Sequence, residues 1–308
     1  MALVAEGATV KTFFADLKDI MGPSVVAQVL TKMRENDLLG LAGQLTYFFL
    51  LSFFPFLIFL VALAGLVLND PESAIRALIG RSAGFLPREA VELLVGYLDR
   101  TLRGAGPGVL LVGILTTLWM GSAASIAIMK AANRAYDLME TRPFWKLRGT
   151  SILLALGFTL LMAALSLVVF KVETYIRRPG GSSGSLLAVW GIARWALAFV
   201  VVTTALSILY YLAPNARLPF KWITPGGFAA TVLMFAASTA LSLYASRLGS
   251  YDQIYGQLGA VIVLMLWLYA MGLMVLVGVE INAVLARRAE DKKDVEIVRI
   301  EDHEGDKG

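Results

Sequence analysis

Cysteine is absent from this chain of 308 residues, and histidine occurs once, as His303 in a polar C-terminal stretch. Disulfides, thiolate nucleophiles and metal sites built from Cys and His are excluded together, and no cofactor is expected. Charge is scarce too: Asp, Glu, Lys and Arg make up 16% of the residues, where an ordinary soluble domain carries about 25%. No glycine loop of the form GxxxxGK[ST] occurs, so active transport would have to draw on a gradient or on another protein. What is abundant is apolar residues, 58% of the chain, with mean hydropathy +0.72. At about 20 residues per crossing, the length holds roughly six transmembrane helices and no separate soluble domain of ordinary size.

Six apolar stretches are long enough to cross, near 41–68, 107–130, 149–171, 187–212, 225–247 and 258–285. The expected fold class is all-α, a polytopic membrane protein with six transmembrane helices. Residues 1–37 read as a cytoplasmic interfacial arm, 38–285 as the membrane domain and 286–308 as a disordered, charged cytoplasmic tail. The first 37 residues carry Lys11, Lys18, Lys32 and Arg34 and lack the continuous apolar core of a cleavable signal. Between the first two spans, residues 70–106 predict an external amphipathic helical hairpin. Asp70 and Pro71 suit an N-cap and first helical position, and Pro87 divides the two arms. Val91, Leu94, Val95, Leu98 and Leu102 recur at helical spacing opposite the pairs Arg88/Glu92 and Asp99/Arg103.

Orientation follows from the basic residues. With both termini inside, 17 of the 27 Lys and Arg fall on the inner side and 9 on the outer, with Arg194 inside a span. Both termini are therefore expected in the cytoplasm. Basic flanks also account for the net charge of +4, so no nucleic-acid partner is implied; the bilayer is the expected partner. Phe13, Leu17, Ile20, Val25, Val29 and Met33 lie on apolar faces of two short helices broken at Gly22–Pro23. Such an arm either lies beneath the inner leaflet or packs on the end of the bundle.

Ionisable groups inside spans are costly and point to function. Glu280 lies seven residues before Arg287, roughly 10 Å from the inner helix end. Lys130 and Arg134 sit at comparable depth on the second span, and Glu280 is expected to pair with one of them, as a tether between helices or as part of a binding site. Arg194, between Trp190 and Trp195, either snorkels to the outer headgroups or holds an anionic headgroup with its forked donors. Pro55 interrupts the first span and frees a carbonyl, with Gln44, Thr46, Tyr47 and Ser52 in the half-span before it. That half-span suits a binding site or a hydrogen-bonded helix contact. Stripes of Ala123, Ala127, Ala131 and Ala135, and of Ser238, Ser242 and Ser246, permit close helix approach. Tyr251, Asp252 and Tyr255 either cap a cavity mouth or anchor at the interface.

Several blocks then carry a resemblance: GLAGQLTYFFLLSFFPFLIFL (40–60), NRAYDLMETRPFWKLR (133–148), PNARLPFKWITPGG (214–227), SYDQIYGQLGAVIVLMLWLY (250–269) and GVEINAVL (278–285). Over roughly 40–285 the chain resembles the YihY/BrkB family of bacterial inner-membrane proteins, formerly misassigned as ribonuclease BN. It departs at Val279, where the family more often has alanine. The resemblance implies six helices and a part in envelope integrity or export of envelope material, with no catalytic residue to carry over. The positions it marks are Tyr47, Pro55, Asn133, Arg134, Asn215, Tyr251, Tyr255, Glu280 and Asn282.

Two functions are expected from these observations. The first is a transporter or flippase-like protein for an amphiphilic anionic envelope component, such as a lipid or lipid-linked substrate. The second is a non-transporting scaffold that docks envelope machinery. Ribonuclease chemistry is not supported, because metal-assisted phosphodiester cleavage needs converging carboxylates or histidines, and the acids here are dispersed among basic neighbours. Oligomeric state is not legible.

Overall fold

The computed structural model describes residues 22–67, 107–176, 184–218, 222–247, 257–291 and 298–299. They form seven helices and one two-residue strand pair: α1 (Pro23–Glu35), α2 (Leu38–Val67), α3 (Pro107–Ala135), α4 (Phe144–Ile176), α5 (Gly184–Leu212), β1 (Ala216–Arg217), α6 (Pro225–Arg247), α7 (Gln257–Asp291) and β2 (Val298–Arg299). The hairpin expected over 70–106, the arm before residue 22, and Tyr251 and Tyr255 lie outside the described residues.

Long uninterrupted apolar sequence favours helices here because a helix satisfies its own backbone polar groups where water is absent. Four stretches, Phe144–Ile176, Val189–Leu212, Pro225–Tyr244 and Val261–Ala289, are long and apolar enough to cross a membrane. The other two expected stretches are also helical, as α2 with 30 residues and α3 with 29. Pro55 lies inside α2, which continues past it to Val67. Apolar side chains point outwards along several helices: Leu111, Val112 and Leu115 on α3, Leu153, Phe158 and Val168 on α4, and Val189, Ile192 and Val200 on α5. So much outward apolar surface suits lipid and not water.

α7 is the central helix, packing on α1, α2, α3 and α6, while α5 lies between α4 and α6. Small residues set the closest approaches. Ala127, Ala131 and Ala135 are buried, and Ser238 of α6 accepts a hydrogen bond from the Trp267 indole of α7 at 3.0 Å. At the α6–α7 crossing, a Cβ added to Gly226 would overlap the Gly278 main-chain oxygen, and one added to Gly278 would lie 2.7 Å from the Gly226 oxygen. Only glycine permits this contact.

α1 starts with Pro23 at its first position and ends with Lys32 and Arg34 in its last turn, the charge placement that complements a helix C-terminus. Val25 and Val29 join the core beside Ala283 and Val284, and Arg288 Nε donates to Gln28 Oε1 at 2.9 Å. Val26 and Leu30 are exposed, so the described half of the arm both packs on the bundle and turns an apolar face outwards.

Several helices run further than hydropathy indicates, α3 among them, which continues past 130 to Ala135. α4 spans Phe144–Ile176 in place of 149–171, so Glu173 is helical. α7 continues beyond 285 to Asp291, and β2 pairs antiparallel with β1, Ala216 opposite Arg299 and Arg217 opposite Val298. The expectation of a disordered tail from 286 is corrected for 286–291 and 298–299. Arg287 and Arg288 are good helix formers held by partners that a hydropathy profile does not register.

Candidate functional site

The largest set of linked polar groups among the described residues gathers at one end of the bundle, where α1 joins α2, α3 gives way to α4 and α5 gives way to α6. A helix leaves its last carbonyls without partners, and here three arginines from neighbouring segments supply donors. Arg134 Nη1 donates to the Asn36 carbonyl just past α1 at 3.0 Å. Arg287 Nη1 donates to the Ala135 carbonyl at the end of α3 at 2.7 Å. Arg142 Nη2 donates to the Ala213 carbonyl just past α5 at 2.9 Å. Asp137 takes the left-handed conformation, φ 54°, and closes α3 through Asp137 N–H to the Arg134 carbonyl at 3.1 Å and Leu138 N–H to the Asn133 carbonyl at 2.8 Å, a Schellman ending. Its carboxylate also accepts from Arg287 at 2.9 Å. Asp37, φ 51°, caps the start of α2 by accepting the Gly40 N–H at 3.3 Å.

Glu140 is the hub of the α3–α4 loop. Its oxygens accept from Arg142 Nε and Nη2 and from Asn133 Nδ2, each at 2.7 Å, and from the Arg142 main-chain N–H at 3.1 Å. Burial works against the carboxylate, but the hydrogen bonds and charge of Arg142, helped by Asn133, outweigh it and hold the Glu140 carboxyl below its ordinary range. Asn133 Oδ1 accepts the Asn215 N–H at 2.7 Å. Asn215 Nδ2 in turn donates to Thr141 Oγ1 at 2.7 Å and to the Met139 carbonyl at 3.2 Å. The structure thus joins Asn133 and Asn215 directly and ties the α3–α4 loop to the α5–α6 loop.

Glu280 is 1% exposed. Its partner is neither Lys130 nor Arg134: Asn36 Nδ2 donates to Oε1, and Arg134 is linked only through the main chain of that same Asn36. Lys130 is exposed. Glu280 Oε2 and Arg287 Nη2 are buried without a hydrogen-bond partner. The phenol of the neighbouring Tyr136 is pushed above its ordinary range, mainly by burial, with Arg287 lowering it and Glu280 raising it. Two residues along α7, Asn282 binds α6: Oδ1 accepts the Gly226 N–H at 2.8 Å and Nδ2 donates to Thr224 Oγ1 at 3.2 Å. Thr224 caps α6 by accepting the Gly227 N–H at 3.1 Å, and its own N–H goes to Ser207 Oγ at 2.9 Å. The donors at the α6 N-terminus are satisfied by side chains and leave none open to an anion.

The other charged centre lies far away. Arg194 stands 18 residues from Leu212, about 27 Å along α5, and its Nη1 is 3.8 Å from Glu173 Oε2 of α4. Its guanidinium also lies 5.8 Å from the Trp195 ring centre. Tyr47 is 59% exposed, on a face shared with the exposed Gly40, Gly43 and Gln44. Neither Tyr47 nor Pro55 joins the network among the described residues. Asn36, Asp137, Glu140, Glu173 and Thr224 were not singled out from sequence, and Arg142 was read only as a basic loop residue at the head of the Arg142–Trp145 run that fits the family. For Glu140 and Arg142 the signal was available, since both stand in the 133–148 block.

A chain built of long apolar helices, with apolar outward faces and its polar groups drawn into hydrogen-bonded clusters, is a multi-pass membrane protein. The family model described as Virulence factor BrkB matches residues 29–299, and the chain belongs to that family. It is similar to a ribonuclease-like protein, YfkH, of Bacillus subtilis (strain 168), with 38% identity over 80% of this chain and 90% of that one. It is also similar to UPF0761 membrane proteins of Psychromonas ingrahamii, 25% identical over 84% of this chain and 86% of that one, and of Alkalilimnicola ehrlichii, 28% identical over 59% of this chain and 41% of that one. No solved structure matches.

Proposed function

We propose that this protein is a transporter or flippase-like protein of the bacterial inner membrane that moves an amphiphilic anionic envelope component. In this reading α2 to α7 all cross, the α1 end faces the cytoplasm, and residues 70–106 cover the opposite face. The observation that carries the reading is the pair of charged centres buried in apolar helices at opposite ends: Glu280 with one bare oxygen, and Arg194 against Glu173. Charge in such a place needs a use or a counter-charge, and at neither centre are all the buried polar atoms satisfied. The test is transbilayer movement of labelled headgroups in liposomes containing the purified protein. Arg194→Ala and Glu280→Gln are expected each to slow it, and full rates in both variants would remove the two residues from the mechanism.

A scaffold that docks envelope machinery is the second reading. It is favoured by the completeness of the Asn133–Glu140–Arg142–Asn215 network, which ties loops together and leaves the Glu140 carboxylate fully engaged. It expects stoichiometric partners in pull-downs, and loss of the cellular role on deleting residues 72–104 while transport assays stay silent.

A further inference from the structure

Arg148 lies one turn into α4, directly before the apolar stretch expected over 149–171. Arg134, Arg142 and Arg287 each donate to a carbonyl at or just past a helix end, and the last two also meet a carboxylate. Arg148 has neither kind of partner. Its one hydrogen bond among the described residues runs from Nη2 to the Trp119 carbonyl of α3 at 3.3 Å. That carbonyl sits in mid-helix and already accepts Ser122 Oγ at 2.7 Å, so the guanidinium bond is a weak addition. Arg148 Nε is buried with no partner. The group is held instead by stacking, its central carbon 3.9 Å from the Trp119 ring centre, an arrangement that fixes its plane and leaves donors over.

Trp119 is 63% exposed, so the pair stands at the rim of the α3–α4 seam. Leu115, Val112 and Leu111 precede it by four, seven and eight residues, which places them on its face of α3, and all three are exposed. Lys130, 11 residues or about three turns on the other side, is exposed on that face too. Along one strip of α3 the order is therefore a cation, then guanidinium on indole, then hydrocarbon, running away from the α1 end of the bundle.

We infer that this strip binds an anionic phospholipid of the leaflet at the α1 end, with the phosphate on the Arg148 guanidinium and the acyl chains along Leu115, Val112 and Leu111. The order of groups is that of a lipid in its leaflet, headgroup at the helix end and chains towards the bilayer centre. A cation at the edge of a membrane span needs a counter-charge, and among the described residues no carboxylate lies within ion-pair distance of Arg148. A phosphate supplies that charge, with oxygens that suit the forked donors of a guanidinium. Without a carboxylate beside it to hold an ammonium, and with Lys130 on the headgroup side, the site favours a lipid of net negative charge over a zwitterion. The indole fits the same level, where tryptophan sits among headgroups. The site is separate from the Arg194 and Glu280 centres and does not require that any lipid be moved.

The test is lipid retention by the full chain purified from nanodiscs of equimolar phosphatidylglycerol and phosphatidylethanolamine, read by native mass spectrometry, separately from any crossing rate. Wild-type protein is expected to retain phosphatidylglycerol about tenfold over phosphatidylethanolamine, the scale of one charge-assisted contact. Arg148→Gln is expected to bring the ratio near one. Lys146→Gln, which removes an exposed cation on the opposite face of α4, and Arg194→Ala are expected to keep it. A wild-type ratio at or below one overturns the assignment, as does an unchanged ratio in Arg148→Gln. An equal fall in Lys146→Gln would mark a diffuse charge effect, and one in Arg194→Ala would move the lipid to the other centre; either overturns it. Should Arg148→Gln fail to insert, Arg148→Lys keeps the charge and loses the fork: a fall of about threefold is expected, and an unchanged ratio overturns the assignment instead. Inorganic phosphate competing as effectively as added phosphatidylglycerol would assign the site to a free anion and also overturn it. Retention as expected with no transbilayer movement would leave the lipid site standing and remove the transport reading.

Discussion

Replacing Arg142 by alanine tests whether the α3–α4 loop is held by charge. The side chain makes two 2.7 Å hydrogen bonds to the Glu140 carboxylate and donates to the Ala213 carbonyl at 2.9 Å and the Leu212 carbonyl at 3.5 Å. Both partners are largely enclosed, with side-chain exposures of 11% for Arg142 and 22% for Glu140, so solvent screens the pair little. Charge-assisted hydrogen bonds contribute about 1.5–3 kcal/mol each. They overlap here, and Asn133 and the loop N–H still hold the carboxylate in the variant. The expected loss is about 3 kcal/mol, a fall of roughly 6–10 °C in apparent melting temperature in detergent at one scan rate. Arg142→Lys keeps the charge but not the fork, and is expected to lose about half as much. The pH dependence follows from Glu140, whose carboxyl is held below its reference value of 4.5 in the folded protein. Stability from a depressed carboxyl is present in full above the unfolded value and is lost as pH falls through the folded one. The gap between wild type and Arg142→Ala should therefore be constant from pH 8 to 6 and narrow below about pH 4.5. A gap under about 1 kcal/mol at pH 7, or one that widens in acid, would refute the reasoning.

Gly226→Ala is expected to destabilise by about 3 kcal/mol, because the new Cβ meets the Gly278 backbone oxygen. Gly43→Ala, with nothing within 4 Å, should be neutral or slightly stabilising in the same melts. At Asp137, φ 54°, glycine relieves the left-handed backbone and alanine does not, while both lose the Arg287 contact; the melting order should be wild type, then glycine, then alanine. Glu280→Gln keeps the shape and removes a buried charge with one bare oxygen, so it should change stability by less than about 1 kcal/mol. Glu280→Ala leaves Asn36 unpaired and should cost about 2 kcal/mol. Chemical unfolding of both separates the two outcomes.

The apolar stretches were legible because a membrane crossing needs a run of about 20 residues, and helices occupy all six expected positions. Their ends were not, because Glu173, Arg287 and Arg288 look like the end of a hydrophobic run unless their partners are known. Asn133 and Asn215 were marked separately by the resemblance, and the structure shows them hydrogen-bonded to each other. Asn36 was invisible as the partner of Glu280, since it sits near the end of what reads as the interfacial arm, 244 residues away. Charge depth suggested Lys130 or Arg134 there, but an arginine can be drawn off to cap a neighbouring helix, and Arg134 is. Arg142 read as one more basic loop residue. Its value comes from the ends of α5 and from Glu140, which only the folded chain brings within reach.

Headgroup crossing in sealed liposomes measures the central claim most directly: label both leaflets, quench from outside, and compare protein-containing with protein-free vesicles. The account expects wild-type protein to expose the inner-leaflet pool to the quencher within the assay, with Arg194→Ala and Glu280→Gln each reducing the rate. Inner-leaflet signal as well protected with folded wild-type protein as without it would contradict the account.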